Sequence, residues 1–122
     1  MVVVNTGHTP ALGVRCAMRL KILAYPLADD FDLNLPVPET DEAAYLFPQQ
    51  RLSFRANLDA MLTDNELHAI KTAATPKMVV YGIAKYKDIF DVEHTTTFCQ
   101  HMAWDVKGIV SSFNEPRHNE AT

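Results

Sequence analysis

One long strand is the feature of this sequence that most restricts the fold. Residues 11–23, ALGVRCAMRLKIL, alternate between two sets of side chains with a period of two, which is the period of a β-strand. One set is apolar and consists of Leu12, Val14, Cys16, Met18, Leu20 and Ile22. The other set includes Arg15, Arg19 and Lys21. We therefore expect a sheet in which Cys16, Met18 and Leu20 are buried and the three cations are exposed.

Further strands are predicted on both sides of this one. Residues 77–88 (KMVVYGIAKYKD) and 93–105 (EHTTTFCQHMAWD) have the same period. Their short connection contains Asp91, a residue type that tolerates the left-handed conformation of tight turns, so the pair predicts a β-hairpin. Residues 1–5 are a β-branched run that ends at the turn formers of NTGHTP, and we expect this strand to lie beside residues 11–23. Residues 51–58 alternate again and predict another strand.

One helix is predicted over residues 63–75. Thr63 suits the N-cap position and Glu66 falls three residues later, which is the spacing of a capping box. Pro76 ends the helix because proline cannot donate the next backbone hydrogen bond. The apolar stripe of the helix is modest and suits a short helix at the rim of a sheet.

Two segments show neither the period of two of a strand nor the apolar stripe of a helix. Residues 26–50 contain four prolines and several carboxylates, which predicts a long surface loop with short strands around residues 31–35 and 44–47. Residues 108–122 predict an irregular tail. Several strands, long loops and one short helix together predict a mainly β fold. We expect a single domain, residues 1–122, with the fold of an antiparallel, immunoglobulin-like β-sandwich.

The composition is typical of a globular domain, with 122 residues, of which 48% are hydrophobic and 21% are charged. The net charge of −4 gives no attraction of the whole molecule to nucleic acid, so no nucleic-acid partner is expected. No apolar run reaches the roughly 18 residues of a transmembrane helix, and the N-terminus has no signal-peptide pattern. We therefore expect this chain to be soluble.

The stretch DVEHTTTFCQH carries two histidines and a cysteine. Alternation places His94 on the same side of the strand as Phe98, and Cys99 with His101 on the other side, so the three side chains do not converge on one metal ion. Side chains two apart on a strand lie about 6–7 Å from each other, which is too far for a thiolate–imidazole contact. We predict no metal, no cofactor and no catalytic residue here, with Cys99 packed and His101 solvated. Free thiols are favoured over a disulfide with Cys16.

The basic residues of the strands allow two interpretations. Arg15, Arg19, Lys21, Lys85 and Lys87 all fall on faces that are predicted to point outward. In one sheet they would form a positive patch for a phosphate-bearing partner or a membrane surface. Such residues more often keep a sheet face soluble, and we favour that interpretation.

A set of motifs resembles those of a group of uncharacterised proteobacterial proteins. The motifs are NTGHTPA (5–11), YGIAKYKDIF (81–90), TFC (97–99) and HNEA (118–121). Proteins of this group carry one or two transmembrane helices, a helical spacer and then a β-rich domain. The resemblance covers nearly the whole chain and begins after the membrane helices, the spacer and the first strand. It implies a β-rich fold and assigns no catalytic residue; Asp91 stands where the relatives usually place glycine.

Two functional hypotheses follow. The leading one is a non-enzymatic interaction module that recognises a protein or an envelope component through a sheet face or through residues 26–50. The alternative is a small-ligand-binding protein or an enzyme with a pocket under that loop. The residues expected to line such a pocket are Tyr25, Tyr45, His101 and Trp104.

The N-terminal strand predicts self-association. If the relatives pair another strand beside it, the run MVVV forms an edge here without the Lys or Pro that discourages pairing. We therefore expect a homodimer through Val2, Val3 and Val4, unless a loop or residues 108–122 cover this edge.

Overall fold

A computed structural model of the chain describes residues 2–33, 35–37, 45–53, 58, 61–72 and 75–122. In chain order the elements are β1 (Val2–Val4), β2 (Leu12–Leu23), β3 (Arg51–Ser53), α1 (Asp64–Thr72), β4 (Lys77–Lys87), β5 (Glu93–Trp104) and β6 (Val110–Asn114). The fold of the described residues is mainly β with one helix, so the predicted fold class is confirmed.

The strands form two antiparallel sheets. The larger sheet has the order β2-β4-β5-β6, and the smaller sheet pairs β1 with β3. In the larger sheet Met18, Gly82 and Phe98 are direct neighbours across β2, β4 and β5. Two antiparallel sheets are consistent with a β-sandwich, whereas the finer immunoglobulin-like arrangement stays a prediction.

The hairpin of β4 and β5 forms as the sequence predicts. Asp91 has a left-handed backbone with φ of 62°, and its N–H donates to the carbonyl of Asp88 at 3.1 Å. The carboxylate of Asp88 accepts the N–H groups of Phe90 and Val92 at 2.8 and 3.1 Å. Two aspartates therefore supply the turn without glycine.

The capping box of α1 is also confirmed. The N–H of Glu66 donates to Thr63 Oγ1 at 3.2 Å, and the N–H of Thr63 donates to Glu66 Oε1 at 3.3 Å. These reciprocal bonds satisfy two donors that a helix start leaves unpaired. The helix ends at Thr72, and residues 73–74 of the predicted helix lie outside the described residues.

The prediction that the first strand lies beside β2 is wrong, because β1 pairs with β3. The side-chain amide of Asn5 donates to the carbonyls of Thr9 and Leu46, each at 2.8 Å. A bridge between Ala11 and Leu46 then holds the start of β2. These contacts join the chain before β2 to the segment that leads into β3, and a pattern local to residues 1–11 contains no sign of that distant partner.

The prediction of an irregular tail over residues 108–122 is wrong for β6, which pairs with β5. The carboxylate of Asp105 accepts the N–H groups of Lys107 and Ile109 at 2.8 and 2.9 Å. Gly108 takes the left-handed conformation that closes this turn, with φ of 81°. The turn therefore directs a polar segment back along β5, although the segment itself has no clear period of two.

The short strands predicted around residues 31–35 and 44–47 do not form in the described part. Residues 31–33 have no strand pairing, and Leu46 makes a single bridge, to Ala11. Prolines and carboxylates dominate this region, which explains the lack of a ladder. Residues 34 and 44 of these predicted strands, and residues 54–57 of the strand predicted over residues 51–58, lie outside the described residues.

One face of the larger sheet, here called the packed face, carries the main core. Val79, Tyr81 and Cys99 are buried there. The end of β2 and the segment after it cover them with a row of apolar side chains, namely Leu23, Leu27, Phe31, Leu33 and Leu35. Phe31 meets Tyr81 edge to face at 5.2 Å between ring centroids.

The opposite face, here called the cavity face, is covered only in part. It carries Cys16, Met18, Leu20, Val80, Ala84, Phe98 and Met102. The smaller sheet contacts its hairpin end, where Val3 and Leu52 pack with Val14 and Tyr86. Away from the hairpin end, a cavity lies between the larger sheet and the N-terminal segment.

The burial predicted for β2 is therefore only partly correct. Arg19 and Lys21 are exposed as predicted, but Arg15 is half-buried, and so are Cys16, Met18 and Leu20. Both faces of the larger sheet are covered to some extent, and the cations share the packed face with Tyr81 and Val79, their direct neighbours on β4. The prediction that one face of β2 is buried and the other is exposed to solvent is therefore wrong.

Candidate functional site

A cavity of about 1280 Å³ lies between the cavity face and the N-terminal segment. Its floor is apolar and comes from three neighbouring strands, through Met18, Leu20, Val80, Phe98 and Met102. Its opposite wall comes from residues 2–7 and 9–11 with Leu46. Pockets for drug-sized ligands span roughly 300–1,000 Å³, so this cavity has room for an elongated molecule.

The chemistry of the lining changes along the sheet. The hairpin end carries Tyr86, Asp88, His94 and Thr96, whereas the other end carries Leu20, Val80 and Met102, bordered by Gln100 and Ser112. Val80 and Tyr86 are six residues apart on β4, which corresponds to about 20 Å at the rise of an antiparallel strand. The cavity is therefore long, with a polar end and a mostly apolar body.

The polar end is organised by His94. Its Nε2 lies 2.8 Å from Asp88 Oδ2, its Nδ1 lies 2.8 Å from the carbonyl oxygen of Thr122, and the ring of Tyr86 stacks on it at 5.2 Å. Because oxygens accept from both ring nitrogens, the doubly protonated imidazolium is favoured. The hydrogen bond with Asp88 and the bond to Thr122 raise the pKa of His94. The hydrogen bond from His94 lowers the pKa of Asp88.

Both ring nitrogens of His94 are engaged, and in its protonated form the imidazolium neutralises the carboxylate of Asp88. A general base needs a nitrogen that is free to take a proton from a substrate. His94 is therefore suited to shaping the polar end rather than to proton transfer.

A second polar cluster lies on the packed face. His101 Nδ1 donates to Glu115 Oε1 at 2.7 Å, and the side chains of His101 and Glu115 are 18% and 7% exposed. The ring of Tyr25 lies 4.9 Å from the His101 ring, and Phe113 stacks on it at 5.4 Å. Burial, and then the charge and hydrogen bond of Glu115, raise the pKa of Tyr25. The prediction that His101 is solvated is wrong, because Glu115 and the two aromatic rings enclose it.

Cys99 lies beneath this cluster and is fully buried. Burial and the nearby carboxylate of Glu115 raise the pKa of its thiol to about 11. The amide of Asn119 accepts the N–H of Cys99 at 3.1 Å and donates to its carbonyl at 3.0 Å. Cys99 is therefore a packed thiol, as predicted. Cys16, on the cavity face, is also a free cysteine, as predicted, and burial raises the pKa of its thiol to about 11.

The four residues predicted to line a pocket do not come together. Tyr25 and His101 contact each other on the packed face. Trp104 alternates with His101 along β5 and belongs to the cavity face, while Tyr45 is 59% exposed beside Leu46. The cavity itself was missed from sequence. Its only local signal is Gly82 opposite Phe98, a small residue beneath a large ring.

The residues predicted for a dimer interface form β1. Val2 and Val4 are 53% and 37% exposed, and Val3 packs with the core of the smaller sheet. The prediction assumed that β1 has an unpaired edge, but β3 pairs with one of its two edges. A homodimer through these three residues stays a prediction.

The basic residues of the larger sheet are partly neutralised by carboxylates of the β4–β5 hairpin. Arg15 and Lys85 both contact Glu93, at 3.0 and 4.0 Å, and Lys87 contacts Asp91 at 3.3 Å. Exposed pairs of this kind contribute about 0–1 kcal/mol each. Their arrangement favours a soluble surface over a phosphate-binding patch.

Comparisons of this chain with models of protein families, with curated proteins and with solved structures find no match. The resemblance to the group of proteobacterial proteins therefore stays a prediction. None of the described helices is long and apolar enough to cross a membrane. In the described ranges, no three or more His, Cys, Asp or Glu side chains are grouped to hold a metal ion.

Proposed function

We propose that this protein is a non-enzymatic binding module that takes the apolar chain of a small amphiphile, such as a lipid-like component of a cell envelope, into the cavity. The observation that carries the proposal is a cavity of about 1280 Å³ with an apolar floor on the larger sheet. An apolar ligand that enters it removes apolar surface from water, which stabilises the complex by about 25 cal/mol per Å² before the cost of association is counted.

The lining of the cavity suits a flexible chain. Met18 lies across Gly82 from Phe98, Met102 lies four residues from Phe98 along β5, and Leu20 and Val80 complete the floor. Methionine side chains are unbranched and adapt to ligands of different shape. The floor therefore selects for an apolar body and places little restriction on its detailed form.

The polar end suits a head group that forms hydrogen bonds. Asn5, Thr6 and Thr96 line the cavity, and Thr96 lies two residues from His94 on β5. Because protonated His94 neutralises the carboxylate of Asp88, we expect a weaker dependence on the charge of the head group than on the length of the chain. Neither the engaged His94 nor the buried Cys99 is suited to catalysis, which favours binding over an enzymatic role.

The proposal is tested by titrating the protein with dodecanoate, dodecylamine and dodecyl maltoside, each below its critical micelle concentration, and following binding by calorimetry and thermal unfolding. Binding to the folded state raises the midpoint of thermal unfolding. We expect all three to bind with a negative heat-capacity change and shorter-chain homologues to bind more weakly.

Two variants of the same strand provide the matched comparison. Met18→Trp narrows the cavity at its floor and should weaken binding, whereas Arg19→Gln, on the packed face, should leave it unchanged. Absence of binding by all three amphiphiles, or binding that Met18→Trp does not reduce, would contradict the proposal.

A further inference from the structure

The strand β6 forms one edge of the larger sheet and is exposed along its whole length. Ile109, Val110 and Phe113 are 60%, 50% and 50% exposed. The strand contains no charged residue and no proline. Within the described residues, its backbone pairs only with β5. An edge with these properties is a template for a further strand.

The other edge of the same sheet is protected. The strand β2 carries Arg15, Arg19 and Lys21, and its register shifts near Gly13, which has a left-handed φ of 60°. Cations and bulges are the devices by which natural sheets prevent edge pairing. Two edges of one sheet therefore differ, and only β6 lacks these devices.

The free hydrogen-bonding groups of β6 can be identified from its pairing with β5. The N–H of Glu115 donates to the carbonyl of Cys99, and pairing continues through Phe113 and His101. Backbone groups of alternate residues point to opposite sides of a strand. Ser111 and Phe113 therefore direct theirs to β5, and Val110, Ser112 and Asn114 direct theirs to the free edge.

We propose that β6 pairs in antiparallel register with β6 of a second copy of this chain, about a two-fold axis at Ser112. In this register Ser112 lies opposite Ser112 of the partner subunit, and Val110 lies opposite the partner's Asn114. All three outward-facing residues of each copy are then paired. The two larger sheets join into one sheet of eight strands, with the packed faces on the same side.

The side chains are compatible with this self-pairing. No residue of β6 is charged, so the two-fold axis places no like charges opposite each other. Phe113 lies diagonal to the partner's Phe113 across the axis, at a spacing that aromatic side chains bridge. The geometry buries two half-exposed rings and leaves the exposed cations of β2 at the outer edges.

The oligomeric state of the intact chain provides the first test. Light scattering and sedimentation across the micromolar range should show a dimer with little dependence on salt concentration. Ser112→Pro removes a donor that points away from β5 and should give a folded monomer, while Ser112→Ala keeps the donor and should remain dimeric. Val3→Pro, in β1, should also remain dimeric. A monomeric intact chain, or a dimer lost in Val3→Pro but retained in Ser112→Pro, overturns the proposal.

The register is tested without a proline. In a Cys16→Ala background, Ser112→Cys places two thiols at directly opposed positions with Cα atoms about 5.5 Å apart, within the range of a disulfide. Ser111→Cys places them diagonally at about 7–8 Å, beyond that range. Rapid oxidation to a covalent dimer is expected for Ser112→Cys only. Equal cross-linking of both variants, or of neither, overturns the register.

Discussion

The ring of Phe98 lies directly over Gly82, its cross-strand neighbour on the cavity face. A Cβ atom at Gly82 would lie 2.6 Å from Cε1 and Cζ of Phe98 and 2.5 Å from the carbonyl oxygen of Ala17. Side chains do not approach so closely without displacement. The absence of a side chain at residue 82 therefore allows the ring to lie flat and to form the middle of the cavity floor.

Replacement of this glycine should destabilise the protein. We expect Gly82→Ala to lower the free energy of unfolding by about 1–3 kcal/mol, the usual cost of overpacking. Urea denaturation measures the change. In a Phe98→Leu background, Gly82→Ala should lower the free energy of unfolding by less, because the smaller side chain leaves room for the new Cβ atom. Any loss of stability that persists in this background reports the contact with the carbonyl oxygen of Ala17. Unchanged stability of Gly82→Ala would show that the ring is not held over residue 82.

The parts of the fold that local chemistry determines could be predicted from sequence. The period of two identified β2, β4 and β5, and the two aspartates of the turn at residues 88–91 were sufficient for the hairpin. The reciprocal bonds of Thr63 and Glu66 follow from a spacing of three residues. In each case the interacting groups are close in sequence or share a strand.

The remainder depends on partners that are distant in sequence. The pairing of β1 with β3 joins residues almost 50 positions apart, and nothing near Val3 specifies Leu52. His101 was predicted to be solvated because its acceptor, Glu115, lies beyond a turn in a segment without a period. The cavity depends on the distance between the N-terminal segment and the larger sheet. The sequence pattern of neither element specifies this distance.

The buried pair of His101 and Glu115 should be important for stability. We expect Glu115→Ala to lower the free energy of unfolding by about 2–3 kcal/mol, because it leaves His101 and Tyr25 without their acceptor in a mostly buried site. Glu93→Ala, which removes an exposed partner of Arg15, should cost no more than about 1 kcal/mol. Chemical denaturation of both variants provides the comparison. Equal effects would show that burial does not distinguish the two pairs.

The His94–Asp88 pair should make stability depend on pH in a predictable direction. The pKa of His94 is raised above its ordinary value of 6.5, so its bonds stabilise the native state fully below that pH and less as the pH rises through the native pKa. The pKa of Asp88 is lowered from 3.8, so its contribution is present above that pH and is lost as the pH falls through the native value. The pair is therefore most stabilising between these two ordinary values.

Thermal unfolding of the intact chain and of His94→Gln as a function of pH measures this dependence. The difference in unfolding midpoint should be largest between about pH 4 and 6.5 and should decrease at alkaline pH. His68→Gln, at an exposed position of α1, should show no such profile. A difference for His94→Gln that grows with pH would contradict the assignment of a protonated imidazole.

The two cysteines should react at different rates with a thiol reagent, and neither should react as a catalytic thiol. Burial raises the pKa of both thiols to about 11, so little thiolate exists at neutral pH, and the thiolate is the reactive form. Cys99 is fully buried whereas Cys16 is half-buried on the cavity face, so we expect Cys16 to react first and Cys99 only when the protein unfolds. Iodoacetamide labelling followed by mass spectrometry assigns the order, with Cys16→Ala as the variant that isolates Cys99.

Fast labelling of Cys99 in the native state would show that the cluster of His101 and Glu115 activates it. That outcome would reopen a catalytic role for the packed face.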